Sequence, residues 1–181
     1  MRVQLDGDVY APVIEGARSK GSWVRAAVAV AAVTLTLVAA PQAGAVLLLS
    51  AGPGAALSPF ESGKTATAAG SLAATDTSPS WTLTAKDQGS GAGKLVAAAA
   101  GCSGSDATLA NPLQVSVTSS LGGASSAGTI SLGAGDQTVA SATNQTLTND
   151  TLTTNYTQAI PSTEKMLTGC VYSITVTFTL Q

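Results

Sequence analysis

The chain has 181 residues, 10% of them charged and 4% aromatic, with no histidine, two cysteines and a formal net charge of −2. That composition excludes a Ser-His-Asp triad, a His-bearing zinc site, a four-thiolate metal centre and an iron–sulfur cluster. The near-balanced charge leaves no electrostatic footprint for nucleic acid, and the length fits one domain plus a removable segment.

Residues 1–45 read as a helical export signal. Arg18, Lys20 and Arg25 form a basic cluster, Ala26–Ala40 is an apolar run, Pro41 breaks it, and Ala43-Gly44-Ala45 offers the small-x-small pattern of a cleavage site. The stretch before the run is long, so residues 1–21 are set apart as an N-terminal extension or an early-called start. Apolar residues continue through Val46-Leu47-Leu48-Leu49, and Ala26–Leu49 spans 24 positions, enough to cross a bilayer that needs roughly 20. Pro41, Gln42 and Gly44 interrupt it and favour a signal cut after Ala45 over a retained anchor. No Cys follows the run closely enough to carry a lipid. The expected product is secreted or held at the cell wall or surface, off the membrane once cut.

A cut after Ala45 leaves 136 residues with four lysines, no arginine and seven scattered carboxylates, and 40 of the 136 are Ser or Thr. Such a chain solvates its surface with hydroxyls rather than ions. Residues 46–65, with Pro53, Gly54, Pro59 and Gly63, read as a linker or first edge strand. A strand is expected near Thr65–Asp76. Pro79 then marks a turn into Trp81-Thr-Leu83-Thr-Ala85-Lys86, where large and hydroxylated residues alternate. The Ala97–Ala100 run suits a helical turn. Val115 and Val117, Ile130 and Leu132, Gln137–Ala142 and Thr151–Gln158 supply further strands. Gly122-Gly123, Gly133-Ala-Gly135-Asp136 and Asn149-Asp150 supply turns. From Cys170 to Leu180 every even position is large (Cys170, Tyr172, Ile174, Val176, Phe178, Leu180), while Ser173, Thr175, Thr177 and Thr179 take the odd ones. A period of two places the large side chains on one face of a half-buried antiparallel strand. The predicted fold is all-β: an antiparallel β-sandwich of about seven to nine short strands.

Cys102 and Cys170 are the only pair in an exported chain, and a structural disulfide is expected. The 68-residue separation lacks the close spacing of a redox pair.

Gly70-Ser-Leu72-Ala-Ala-Thr-Asp76-Thr77 ends a strand in an Asp-Thr pair, and Trp81-Thr-Leu83 follows it. Tyr172-Ser-Ile-Thr-Val-Thr-Phe178-Thr-Leu180 closes the chain, preceded by the extended segment Leu152–Pro161. In these motifs residues 66–181 resemble the WxL domain of Gram-positive bacterial surface proteins, with Phe178 where the closing strand carries Trp. The resemblance implies a module that associates non-covalently with the cell wall through peptidoglycan, and it makes Trp81, Leu83, Tyr172, Phe178 and Leu180 its motif residues.

Trp81 and Tyr172 suit a sugar-stacking platform, but alternation groups them with Leu83, Ile174 and Phe178 and favours core packing. Phe60 and Tyr156 fall outside those patterns and are the aromatics left available to solvent. The carboxylates Glu61, Asp76, Asp87, Asp106, Asp136, Asp150 and Glu164 form no D-x-D-x-D-G loop, and no Ser-x-x-Lys occurs. No catalytic, cofactor or metal residues are assigned. Three N-x-T sequons (Asn144, Asn149 and Asn155) read as strand-edge chemistry in so Thr-rich a chain. The leading expectation is a non-catalytic cell-surface or cell-wall binding module whose partner is peptidoglycan or another surface protein. The alternatives are a fimbria- or coat-like subunit assembling through edge strands, or a small secreted hydrolase using two facing carboxylates.

Overall fold

The computed structural model describes residues 34–35, 47–51, 54–97, 101–119 and 124–181. The segment expected to be a helical signal lies outside the described residues apart from Thr34 and Leu35, which are extended. Twelve strands follow in chain order: β1 Thr34–Leu35, β2 Leu47–Ala51, β3 Thr65–Asp76, β4 Ser80–Asp87, β5 Val96–Ala97, β6 Gln114–Ser119, β7 Ala124–Ser126, β8 Ile130–Ser131, β9 Gln137–Thr143, β10 Leu147–Ala159, β11 Tyr172–Ser173 and β12 Val176–Leu180. Seven of these run five residues or longer and five are two- or three-residue pieces. The fold is all-β and sandwich-like. A back sheet has the order β1-β12-β4-β9-β7, a front sheet the order β2-β3-β10-β6-β8, and β11 pairs with β5 in a small third sheet. Every pairing is antiparallel except β1 with β12.

Alternation builds the core. On β4, Trp81, Leu83 and Ala85 are buried, and on the neighbouring β12 Val176, Phe178 and Leu180 line the same face, with Phe178 opposite Ala85 and Leu180 opposite Leu83. The front sheet answers with Leu72 and Ala74 on β3, Val115 and Val117 on β6, and Leu152 and Tyr156 on β10. Burying the larger of these side chains stabilises by about 1.5–3 kcal/mol each. The layers are joined by two short corners, residues 77–79 between β3 and β4 and residues 144–146 between β9 and β10. Gln145 N–H donates to Pro79 O (2.8 Å) and ties one corner to the other.

Several local expectations change. Tyr156 and Phe60 are 2% and 5% exposed. Tyr156 belongs to the inner face of β10, and the Phe60 ring lies 5.9 Å from that of Tyr172. Asn149-Asp150 makes no chain reversal: it is a bulge inside β10, with Asn149 at φ 54° and its N–H donating to Thr75 Oγ1. The expected alternation in burial holds from Cys170 to Thr175 but is lost over β12, where Thr177 and Thr179 are buried with Val176, Phe178 and Leu180. This strand is covered on both faces rather than half-buried, and it also divides. Tyr172 and Ser173 pair with β5, and only from Val176 does the chain join β4. In β9 the consecutive burial of Val139 and Ala140 has a simple cause. Leu83 pairs with Ala140 and Thr84 with Thr138, so Val139 is an extra, bulged residue. At the expected helical turn, Ala97 is in a strand and residues 98–100 lie outside the described residues; the one helical element described is the 3-10 turn Ser105–Ala107.

Candidate functional site

The outer faces of the two sheets share a composition and differ in exposure. On the back sheet, Thr84, Thr177 and Thr179 are buried. Thr177 Oγ1 donates to Gln88 Oε1 (2.8 Å), Thr84 Oγ1 reaches Thr179 O (3.4 Å), and Lys86 forms an ion pair with Asp136 (3.2 Å). Their hydrogen-bonding capacity is turned inward or toward charge.

The front sheet keeps its hydroxyls in water. Strand register sets them in rows: Ser50, Ala73 and Thr151; Ser71, Thr153 and Thr118; Ala69, Asn155 and Ser116; Thr67, Thr157, Gln114 and Ser131. All are exposed or half-buried, and none is charged. Neighbouring rows recur at roughly 6.6–6.8 Å along the strands and at about 4.8 Å across them. The β3–β10 contact beneath this face is closely packed. An added Cβ at Gly70 would lie 2.8 Å from Thr154 Oγ1, so the β3–β10 contact accepts only glycine there without a shift. Thr154 is buried beside Tyr156, whose phenol is pushed above its ordinary pKa by burial, with a Thr154 hydrogen bond opposing. Chemically, this face offers neutral donors and acceptors on a regular grid. It has no nucleophile with a base and no paired acids.

The carboxylates serve loops. Asp76 Oδ1 accepts from Ser78 N–H (2.8 Å), Asp150 Oδ2 from Thr148 N–H (2.6 Å), and the Glu164 carboxylate from Ala110 N–H (3.2 Å). Asp87 is 4% exposed and accepts from Gly89 N–H (2.7 Å) and Gly93 N–H (2.8 Å). It thereby occupies two amides of the glycine-rich loop 88–94. Asp106 carries a Ser105 hydroxyl. No group of three or more Cys, Asp or Glu side chains that could hold a metal occurs among the described residues.

Cys102 and Cys170 are disulfide-bonded, with Cα atoms 5.9 Å apart. Beside the bridge, Tyr172 Oη donates to Asp106 O (2.7 Å) and accepts from Leu167 N–H (2.9 Å). Trp81, Leu83, Tyr172, Phe178 and Leu180 are all 2% exposed or less, so none is placed to stack on a ligand. The rows on the front sheet were not named from sequence. Their signal is present, as uncharged odd positions through Thr65–Thr75 and Thr151–Thr157 and uncharged even positions through Gln114–Thr118, but only the register joins them into one surface. No family model, curated protein or solved structure matches this chain.

Proposed function

We propose that this is an exported, non-catalytic module of the bacterial cell surface that adheres to the wall through the outer face of its front sheet, with peptidoglycan as the partner. The observation that carries the reading is that face: exposed, uncharged and ruled with hydroxyls in register. The hydroxyls and acetamides of the glycan strands hydrogen-bond to such a grid without desolvating an ion, which avoids the main cost of polar recognition. The disulfide suits an oxidising compartment. The leader supports export, and the strand motifs that resemble a WxL domain support the wall as destination. Val46–Leu49 need not belong to a membrane span, since Leu47–Ala51 pairs with β3 and Leu49 is 5% exposed.

Sedimentation with purified peptidoglycan tests the reading. The protein should pellet with the wall equally at low and high salt, because no charge pair is involved. Binding that collapses with salt, or protein left in the supernatant, would refute it. Growth of light scattering by the protein alone would favour an assembling subunit instead.

A further inference from the structure

The sequence holds a near-repeat that the proposed function does not use. Val33-Thr34-Leu35-Thr36-Leu37, inside the apolar run of the leader, matches Val176-Thr177-Phe178-Thr179-Leu180 of β12 at four of five positions. The two copies meet in the register of the repeat: β1 pairs parallel to β12 with Thr34 opposite Thr177 and Leu35 opposite Phe178. We infer that the free side of β12 is an acceptor site for an extended, uncharged strand of this Val-Thr-Leu-Thr-Leu type, bound in parallel, and that the leader fills it in the uncut chain.

The backbone shows which groups do the accepting. Thr82 and Gln181 exchange both of their backbone hydrogen bonds (2.8 and 2.9 Å), and Thr84 opposite Thr179 and Lys86 opposite Thr177 continue that spacing. Residues 177, 179 and 181 therefore point their N–H and C=O groups at β4. Val176, Phe178 and Leu180 point theirs at the edge, where β1 lies. That edge carries none of the usual protections, having no Lys, no Pro and no bulge in its five residues. The other edge of the back sheet, β7, is a three-residue strand whose two serines are exposed. Strand addition gains main-chain hydrogen bonds from the edge and selectivity from alternate side chains. The inference rests on the export reading in one respect: a cut after Ala45 removes β1 and opens the site.

The test uses the protein released by the cell, its N-terminus sequenced, and a synthetic peptide spanning residues 31–39. For a chain starting at Val46, the peptide should bind and slow amide exchange at Val176, Phe178 and Leu180, leaving Thr177 and Thr179 unchanged. A Thr36→Pro peptide, lacking the N–H that the parallel register aims at the Phe178 carbonyl, should bind at least tenfold more weakly. Absence of binding, equal binding of the proline peptide, or protection elsewhere would overturn the inference while leaving wall adhesion intact. If the released chain still carries residues 33–37, the export reading fails separately. The same three amides must then be protected without peptide, and free exchange there would overturn the inference too.

Discussion

The front ladder and the bridged end of this molecule are built on opposite plans. In the ladder, β3 and β10 pair over eleven positions and β6 adds six more, so no single side chain decides whether the sheet forms. At the bridged end, the described residues of 88–113 and 160–175 contain little regular structure. They depend on one disulfide, one tyrosine hydroxyl, one buried aspartate and the fit of single glycines. The lesson is that redundancy frees the outer face of the ladder to vary for recognition, while the end that anchors the loops tolerates almost no change.

Substitutions should expose that asymmetry. Replacing both Cys102 and Cys170 by Ser releases a 68-residue loop and should cost about 4 kcal/mol in denaturant unfolding; a loss below about 1 kcal/mol would mean that the loops hold themselves. Gly93→Ala should cost about 3 kcal/mol by the same measurement. The residue sits at φ 95°, and an added Cβ would collide with the carbonyl of Leu132. Tyr172→Phe keeps the ring against Phe60 and removes the hydroxyl that bridges Asp106 and Leu167, for an expected loss of about 1–2 kcal/mol. The ladder contributes one smaller, pH-dependent effect through Tyr156. Its pKa is raised in the folded state by burial, whereas the unfolded chain ionises near 10. The associated stability is complete below about pH 10 and declines above it as the unfolded state releases its proton first. Alkaline titration of stability against a Tyr156→Phe variant should show the decline only in the parent.

The plan of the ladder and the Cys102–Cys170 bridge were readable in the amino acids, and the loops that the bridge anchors were not, for a physical reason. Val115 and Val117 alternate with Gln114, Ser116 and Thr118, and Leu152 and Tyr156 with Thr151, Thr153 and Asn155, because each ladder strand has one wet and one dry side. Trp81-Thr-Leu83-Thr-Ala85 and the even positions from Cys170 to Leu180 alternate in type, although the back sheet also buries Thr84, Thr177 and Thr179. That pattern also led to an all-β sandwich. Strand β7, Ala-Ser-Ser, has no large residue to mark a buried side. β2 was hidden in the apolar tail of the leader, although an edge strand within 46–65 was one of two readings. Asn149-Asp150 has turn chemistry, yet the same left-handed tolerance serves a bulge when the partner strand continues past it. Asp87 shows no sign in sequence of holding a loop, since its partners are backbone amides whose positions only the fold decides. The hydroxyl rows fail to appear for a related reason: Ser71, Thr118 and Thr153 are adjacent only because β10 lies between β3 and β6.

The most direct measurement is wall sedimentation of Thr153→Lys, a substitution at an exposed centre of the ladder. Stability should stay within about 0.5 kcal/mol of the parent, and retention on peptidoglycan should fall at least tenfold as an ammonium enters the neutral grid. A Thr153→Lys protein that folds as before and binds the wall as tightly as the parent would contradict the account.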